Sequence, residues 1–266
     1  MNNEIDTHKV ISIKDMMDAI LPNKKVLCEK HGDYDSQNII REIWTGCPVC
    51  SKEHKAITEK EQAEKEELDR HSSWVRRLGE AGIPERFRNR TLSSYKASNN
   101  GQKRALAFAT EYAEQFALVR ETGRCAIFCG LPGTGKTHLA IGIALHAMGL
   151  KKSAAFTTVQ RMIRRAKDAW RKDSTESESD VINLLVYPDL LIIDEIGVQF
   201  GSEFEKNFMF DLLNERYEKG RPTILLSNLP AAEVKAFLGD RIYDRLREDG
   251  GQCVSFDWDS FRGQSI

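Results

Sequence analysis

The 266-residue sequence lacks any apolar run near the roughly 18 residues that a membrane-spanning helix needs. Its first residues, Met1 to Asp6, also lack the basic start and apolar stretch of a secretory signal peptide. Cysteines are few, six in all, which excludes a secreted scaffold built on many disulfides. These absences predict a cytoplasmic protein with no membrane partner, in which closely spaced cysteines bind metal more often than they form disulfides.

An excess of charge of either sign is also missing, because 39 Lys and Arg residues face 40 Asp and Glu residues. The net charge of −1 argues at first against nucleic acid, which proteins hold largely through Lys and Arg on phosphates. The balance nevertheless conceals local clusters. Residues 52–70 mix both signs with almost nothing to bury, whereas residues 151–172 carry eight basic side chains and one acidic one, a local charge of +7.

Hydrophobic residues make up 41% of the chain, which is enough for a folded core and excludes a wholly disordered chain. From about residue 80, short apolar strands alternate with longer helical stretches, a pattern typical of an α/β fold with a parallel sheet. We expect five strands, at 125–129, 154–157, 190–194, 222–226 and 253–256. We expect helices at 101–119, 136–149, 159–172, 204–219 and 231–248, and a mobile loop at 174–180.

The N-terminal part of the chain has a different organisation. Ser12 to Asp15 fits a helix capping box and precedes apolar residues at helical spacing, which predicts a short amphipathic helix. The mixed-charge stretch predicts a solvated helical linker. We therefore expect a small N-terminal module (1–55), a charged linker (56–79) and an α/β domain (80–266).

A glycine-rich loop follows the strand predicted at 125–129 and precedes the helix predicted at 136–149. Its sequence from Gly130 to Thr137, GLPGTGKT, matches the P-loop pattern. Such a loop turns successive backbone N–H groups and a helix N-terminus toward nucleotide phosphates. We expect Lys136 to reach the β- and γ-phosphates of ATP and the Thr137 hydroxyl to ligate Mg²⁺. The other expected nucleotide-binding residues are Gly130, Pro132, Gly133, Thr134 and Gly135.

Two acidic residues, Asp194 and Glu195, end a second apolar strand. Ligands of α/β sheets bind at the carboxyl ends of the strands, so we expect Asp194 to hold Mg²⁺ and Glu195 to act as a general base on water. Asn228 ends the next strand and fits either a γ-phosphate contact or an ordinary turn residue. Arg241 and Arg245 lie at i and i+4 of a predicted helix, where arginine suits a charge-spread transition state but is also common on solvated faces.

Together these motifs resemble the DnaC/IstB-like group of AAA+ ATPases, which includes replicative helicase loaders and transposition helper ATPases. The resemblance covers about residues 80–262. It also includes three further segments, Gly82 to Phe87 (GIPERF), Arg241 to Leu246 (RIYDRL) and Phe256 to Arg262 (FDWDSFR). The last two resemble more narrowly the DnaC-like loaders that phages and prophages often carry.

The resemblance implies that Asn228 is a nucleotide sensor and that Arg245 is an arginine finger acting on a neighbouring subunit, with Arg241 beside it. A finger that acts in trans implies self-association through the ATP site. Only ten residues, 257–266, follow the last predicted strand, too few for the helical lid that many AAA+ proteins carry. The expected fold is therefore a AAA+ core without a full C-terminal lid.

The N-terminal module contains a set of metal-ligand residues. Cys28 and His31 form a C-x2-H pair and, fifteen residues later, Cys47 and Cys50 form a C-x2-C pair. Two such pairs predict a structural tetrahedral Zn²⁺ with no place for a catalytic water. A zinc ribbon also explains how a segment with so little apolar content folds. By resemblance to loaders whose N-terminal region grips the helicase, this module is expected to bind the partner.

A helical wheel of residues 159–172 separates an apolar face, which includes Trp170, from a basic ridge. The resemblance favours single-stranded DNA as its ligand over a merely solvated face, since a basic groove tracks phosphates and aromatic rings stack on bases. Phe204 fits both base stacking and core packing with Phe208. The expected DNA-binding residues are Arg161, Arg164, Arg165, Arg171, Lys172 and Phe204.

The resulting hypothesis is an ATPase that loads a DnaB-like replicative ring helicase onto single-stranded DNA, with ATP, Mg²⁺ and Zn²⁺ as cofactors. One alternative is an IstB-like transposition helper that binds double-stranded DNA. Another is a zinc-bearing adaptor in which ATP acts as a binding switch with little turnover.

Overall fold

The computed structural model describes residues 23–40, 43–78, 82–197 and 202–261. The helix expected at 12–20 lies outside these residues. The chain divides into two compact units, residues 1–70 and 71–266. In the described ranges, no helix is both long enough and apolar enough to cross a membrane.

The first unit contains a three-stranded antiparallel sheet in the order β1-β2-β3. Its strands are β1 (Asn23–Cys28), β2 (Gly32–Ile40) and β3 (Ile43–Trp44). After β3 the chain enters α1 (Pro48–Leu78), a helix of 31 residues that carries the mixed-charge stretch. The linker predicted over 56–79 is therefore helical, but its helix begins at Pro48, inside the predicted N-terminal module.

The second unit is built on a five-stranded sheet, parallel throughout, in the order β5-β6-β7-β4-β8. Its strands are β4 (Ala126–Gly130), β5 (Ala154–Thr158), β6 (Leu190–Ile196), β7 (Thr223–Ser227) and β8 (Gln252–Phe256). Helices pack on both faces, so successive residues of a strand are buried on opposite sides: Ile127 in one apolar cluster and Phe128 in the other. The predicted α/β fold with five parallel strands is confirmed.

The helices of the second unit follow the alternating pattern of the sequence. They are α2 (Asn100–Glu114), α3 (Phe116–Thr122), α4 (Lys136–Gly149), α5 (Val159–Asp168), α6 (Glu178–Val186), α7 (Glu203–Glu218), α8 (Ala231–Leu238) and α9 (Asp240–Arg245). Short 3₁₀ turns lie at Glu85–Phe87 and Leu92–Ser94, before α2.

Three helices predicted from the sequence are wrong in their extent. The helix expected at 101–119 is broken at Gln115, whose ψ of 20° departs from helical geometry, so α2 and α3 are separate. The helix expected at 231–248 is divided at Gly239, whose φ of 75° lies in the left-handed region. The helix expected at 159–172 ends at Asp168.

The mobile loop expected at 174–180 is also wrong in its second half, because α6 begins there. The Ser177 hydroxyl accepts a hydrogen bond from Asp180 N at 3.1 Å, and the Asp180 carboxylate accepts one from Ser177 N at 2.9 Å. This reciprocal pair is a capping box, and the acidic residues of the first turn suit the positive end of the helix. The acidic composition of the stretch therefore marks a helix start.

After β8 the structure describes the chain as far as Phe261, and residues 257–261 contain no helix. Trp258 is buried and Phe261 is half-buried, and both pack against the apolar cluster beside β4. The C-terminal segment therefore packs against the same apolar cluster as β4.

Candidate functional site

The P-loop joins strand β4, which lies between β7 and β8 in the sheet, to α4. Gly130 and Gly135 have φ values of 118° and 99°, which residues with a side chain rarely adopt. A Cβ at Gly130 would lie 2.4 Å from the Phe256 carbonyl oxygen, and one at Gly135 would lie 2.6 Å from the Tyr95 ring. Conformation and close packing therefore both require glycine. The same loop contains the other predicted phosphate-binding residues, Pro132, Gly133, Thr134, Lys136 and Thr137.

Lys136, the first residue of α4, is buried in this loop. Its Nζ donates hydrogen bonds to the carbonyl oxygens of Gly130 at 2.8 Å and Leu131 at 2.7 Å. The ammonium group thus lies inside the curve of the loop, next to the N–H groups of the first helical turn, which lack partners within the helix. This combination of donors and positive charge is suited to binding an anion.

Strand β6 brings Asp194 to the P-loop. The Thr137 hydroxyl donates a hydrogen bond to Asp194 Oδ2 at 3.0 Å, and both side chains are half-buried. A hydroxyl and a carboxylate are hard oxygen ligands of the kind that Mg²⁺ prefers. Two residues predicted separately as Mg²⁺ ligands are therefore adjacent in the fold.

Glu195 follows Asp194 in a strained backbone conformation. Its φ is 65°, in the left-handed region, and its N–H donates to Asp194 Oδ1 at 2.7 Å. Its side chain is exposed. Strain of this kind persists where the surrounding structure enforces it and is concentrated at functional sites. The turn directs consecutive carboxylates to different surroundings, Asp194 to the P-loop and Glu195 to solvent.

The end of β7 is tied to both of the other strands at the site. The Ser227 hydroxyl donates to the Ile196 carbonyl at 2.7 Å and accepts from Leu229 N at 3.1 Å. The Leu229 carbonyl in turn accepts from Gly130 N at 3.0 Å. Asn228 lies between these anchors with an exposed side chain, next to the start of the P-loop.

Aromatic residues from distant segments support the back of the P-loop, and sequence reasoning did not identify this role. The Thr134 carbonyl accepts hydrogen bonds from the Tyr95 hydroxyl at 3.2 Å and from Trp258 Nε1 at 3.0 Å. The Gly133 carbonyl accepts from Phe261 N at 2.9 Å. Burial raises the pKa of Tyr95 to about 12, so its hydroxyl keeps the proton that it donates.

Arg241 and Arg245 lie on α9 and contact α7. Arg245 is half-buried, and its Nη1 donates a hydrogen bond to Asn214 Oδ1. Its guanidinium carbon lies 4.7 Å from the centroid of the Tyr217 ring. Arg241 is exposed, and its guanidinium carbon lies 5.5 Å from the centroid of the Phe210 ring.

Trp170 does not lie on a buried face of α5 as expected, because α5 ends two residues earlier. The indole is 58% exposed, its Nε1 donates to Glu178 Oε2 at 2.9 Å, and its ring lies 4.5 Å from the Phe204 ring. Phe204 is half-buried and packs against the core beside Phe208, with 6.0 Å between the ring centroids. The structure therefore places Phe204 behind Trp170.

The basic ridge predicted on α5 is only partly formed. Arg161, Arg164, Arg171 and Lys172 are exposed. Arg165 is half-buried and donates two hydrogen bonds to the Glu176 carboxylate, at 2.7 and 2.8 Å. This bidentate pair fixes the segment before α6 and directs Arg165 away from the ridge.

The first unit brings together the four predicted zinc ligands, from the β1–β2 turn and the start of α1. The ligand atoms of Cys28, His31, Cys47 and Cys50 all lie within 4.8 Å of one another. His31 Nδ1 is 3.3 to 3.7 Å from the three sulfur atoms. A tetrahedral Zn²⁺ with its usual bond lengths separates such ligand atoms by about 3.5 to 3.8 Å, so the donor set fits the metal in number, type and spacing.

Two further features of this cluster concern metal binding: a carboxylate contact to His31 and the pKa values of the thiols. His31 Nε2 lies 3.2 Å from Glu53 Oε1, the carboxylate contact that orients a histidine whose other nitrogen faces a metal. Hydrogen bonds from the backbone at Lys30 and His31 lower the pKa of the Cys28 thiol to about 6, whereas the contact with Cys28 raises the pKa of Cys50 to about 11. Without a metal, Cys28 is therefore the more readily ionised of these two ligands. Sequence reasoning did not identify Glu53, whose signal is its place one helical turn after Cys50.

Known proteins provide a comparison for this fold and site. The family profile described as "IstB-like ATP binding protein" matches residues 62–265. The replicative helicase loader DnaC of Escherichia coli (strain K12) is 36% identical over 201 residues, 75% of this chain and 80% of that protein. The DnaC loader of Buchnera aphidicola subsp. Schizaphis graminum (strain Sg) is 37% identical over 185 residues, 70% of this chain and 74% of that protein.

A crystal structure of the DnaC helicase loader shares the fold of the second unit. It aligns with a TM-score of 0.58 and 22% identity, over 65% of this chain and 100% of that chain. The P-loop after β4 and the Thr137–Asp194 contact at the end of β6 form a site of the kind that an ATP-binding family requires. The chain belongs to the IstB-like ATP-binding family and has the AAA+ fold of the DnaC-like ATPases.

Proposed function

We propose that this protein is an ATP-dependent loader that places a DnaB-like replicative ring helicase on single-stranded DNA. The observation that carries the proposal is an assembled P-loop and acidic-strand site in a chain aligned over 74–80% of proteins named replicative helicase loaders. None of the six cysteines forms a disulfide, which agrees with the cytoplasmic location that we propose.

Four side chains have separate roles in the proposed ATP site: phosphate binding, Mg²⁺ binding by two residues, and proton transfer. Lys136 exchanges its two carbonyl contacts for the β- and γ-phosphates, and Thr137 and Asp194 hold Mg²⁺. Mg²⁺ bound by these two residues would supply positive charge that neutralises the phosphates. Glu195, exposed beside them, takes a proton from the attacking water.

Two polar groups complete the site. Asn228 is held at the edge of the P-loop by the hydrogen bonds on either side of it, and we assign it the role of sensor for the terminal phosphate. Arg245 acts in trans on the ATP of a neighbouring copy, with Arg241 beside it. A single chain therefore binds nucleotide, whereas rapid hydrolysis needs self-association through the ATP site.

The DNA-binding surface combines the exposed basic residues with an aromatic ring. Arg161, Arg164, Arg171 and Lys172 supply phosphate contacts, and Trp170 supplies an exposed face on which a base can stack. Phe204 supports Trp170 from behind instead of meeting the base directly. Arg165 supports the segment through Glu176 and contributes less to phosphate binding.

We propose that the zinc-binding module is the part of the protein that binds the helicase. Cys28, His31, Cys47 and Cys50 hold Zn²⁺, which replaces the apolar core that this small sheet lacks. We propose residues 1–55 as the partner-binding module, 56–79 as the linker and 80–266 as the ATPase domain. The boundary between the two compact units, after residue 70, falls inside the proposed linker.

Co-purification with the host's replicative helicase tests the proposal, in the presence of ATP and of ADP. We expect a stable complex with ATP, single-stranded DNA binding by that complex and ATP turnover that single-stranded DNA stimulates. A protein that binds no helicase but binds double-stranded DNA and a transposase would instead be a transposition helper. A protein that binds the helicase without measurable turnover would be an adaptor with ATP as a switch.

A further inference from the structure

Arg245 is held in place by two side chains of α7. Its Nη1 donates a hydrogen bond to Asn214 Oδ1, and its guanidinium group lies over the Tyr217 ring, 4.7 Å from the centroid. The Tyr217 hydroxyl donates to Glu248 Oε2 at 2.6 Å, which fixes the ring. We call Asn214 and Tyr217 the arginine cradle.

The orientation of the Asn214 amide follows from its second partner. Asn214 Nδ2 donates to Glu218 Oε1 at 2.6 Å, one turn later on the same helix. A carboxylate accepts hydrogen bonds and cannot donate one, so the amide nitrogen faces Glu218 and the amide oxygen faces Arg245. The contact with Glu218 therefore orients the amide oxygen toward Arg245, independently of Arg245 itself.

The arginine cradle fixes the guanidinium group without a negative charge. In the part of the chain that the structure describes, no carboxylate forms an ion pair with Arg245, and its hydrogen-bond acceptor there is a neutral amide. A carboxylate partner would neutralise the guanidinium, whereas an amide and a ring face leave its charge available to an external anion. The neighbouring Arg241 is exposed and has only a ring contact at 5.5 Å.

We propose that Asn214 is the positioning residue of the arginine finger: with Tyr217 it holds Arg245 ready to enter the ATP site of a neighbouring copy. The inference rests on the proposed trans role of Arg245 and distinguishes Arg245 from Arg241 as the finger. A long side chain that is already ordered loses less freedom when it meets the phosphate, so the arginine cradle speeds hydrolysis.

Asn214→Ala should lower kcat about ten- to hundredfold, the contribution of one hydrogen bond to a charged group, and leave KM for ATP nearly unchanged. Tyr217→Leu, which keeps an apolar side chain at an exposed position, should have the same kind of effect. Asn183→Ala is the matched control, because it makes the same truncation on the exposed face of α6. Circular dichroism and thermal unfolding of each variant establish that it is folded.

Mixing variants separates a finger defect from a structural one. Glu195→Gln subunits bind ATP and present an intact finger but cannot hydrolyse, so they should restore turnover to Asn214→Ala subunits in mixed assemblies. Arg245→Ala subunits lack the finger and should not restore it. Asn214→Ala and Arg245→Ala should therefore behave as one complementation group.

Two kinds of result would overturn the inference. If Asn214→Ala turns over like Asn183→Ala, or if Glu195→Gln restores Arg245→Ala but not Asn214→Ala, then Asn214 has no role in the finger. If Arg245→Ala itself has normal turnover, or is not restored by Glu195→Gln, then the proposed trans mechanism fails and the inference fails with it. The measurements on Arg245→Ala thus show whether the positioning role of Asn214 alone is wrong or the trans role of Arg245 is wrong as well.

Discussion

The Thr137 hydroxyl donates a hydrogen bond to Asp194 Oδ2 at 3.0 Å, which joins the first turn of α4 to the end of β6. The adjacent Glu195 has an exposed side chain and a backbone in the left-handed region, and its carboxylate takes no part in this contact. We therefore predict that mutations of different side chains separate nucleotide binding from hydrolysis.

Glu195→Gln should bind ATP with unchanged affinity and lose about 10²- to 10⁴-fold in kcat, the usual contribution of a general base. Lys136→Ala should instead lose nucleotide affinity, because the phosphates lose their buried ammonium partner. Lys151→Ala, an exposed lysine outside the site, is the matched control for the second variant. Calorimetry with ATP and steady-state turnover measure the two effects. Equal loss of binding in both variants would contradict the assignment.

Tyr95→Phe and Trp258→Phe each remove one of two donors to the Thr134 carbonyl behind the P-loop. Each should reduce the free energy of unfolding by about 1 kcal/mol, and the double variant by more than the sum, because it leaves a buried carbonyl without a partner. ATP affinity should fall in parallel.

Denaturant unfolding and nucleotide titration check the double variant. Tyr34→Phe removes a hydroxyl from the first unit, where it contacts the Thr45 carbonyl, and should leave ATP affinity unchanged. Wild-type nucleotide affinity in the double variant would show that these aromatic residues do not support the loop.

Local patterns were sufficient to predict the P-loop and the acidic strand. The glycines of the P-loop, the apolar strand before them and the helix after them are consecutive in sequence, so Gly130 to Thr137 can be recognised from local sequence. Asp194 can be recognised because it directly follows a second apolar run. The strands β4 to β8 were likewise predictable, since a buried parallel strand is a short unbroken apolar run.

Contacts between distant segments could not be predicted in this way. Trp258 meets the Thr134 carbonyl across 124 residues, and no local pattern links them. A periodicity that continues past Asp168 placed Trp170 on a buried face, whereas the helix stops and the ring turns to solvent. The helix breaks at Gln115 and Gly239 cannot be predicted from apolar periodicity, because the spacing of apolar residues carries no information about the backbone dihedral angles at these two positions.

Reversing charge on the outer face of α5 should weaken binding of single-stranded DNA. Arg161→Glu with Arg164→Glu should remove two phosphate contacts. The slope of log K against log salt concentration should then become shallower by about 0.7 for each lost contact. Trp170→Ala should cost about 1 to 3 kcal/mol for one stacked base with no change in salt slope.

Fluorescence anisotropy at several salt concentrations separates these two effects. Lys151→Glu with Lys152→Glu makes the same change of charge at the other end of β5 and should have little effect. A loss as large in this control would indicate a diffuse electrostatic effect instead of a defined surface.

The purified protein should contain about one zinc per chain. Cys47→Ser should abolish zinc binding and unfold the first unit, because a small sheet without an apolar core depends on the metal. ATP binding should survive, since the P-loop belongs to the second unit. Cys253→Ser, outside the cluster, should retain zinc. Atomic absorption gives the zinc content, and a metal-free protein with a native N-terminal sheet would refute the assignment.

Loading of the host's replicative helicase onto a closed circle of single-stranded DNA tests the central claim most directly, because a ring cannot thread onto a circle unaided. Helicase retained on the circle after gel filtration is the quantity to measure. We predict retention only when this protein and ATP are both present, and loss of retention with Lys136→Ala. Equal retention with and without this protein, or retention that does not depend on nucleotide, would contradict the account.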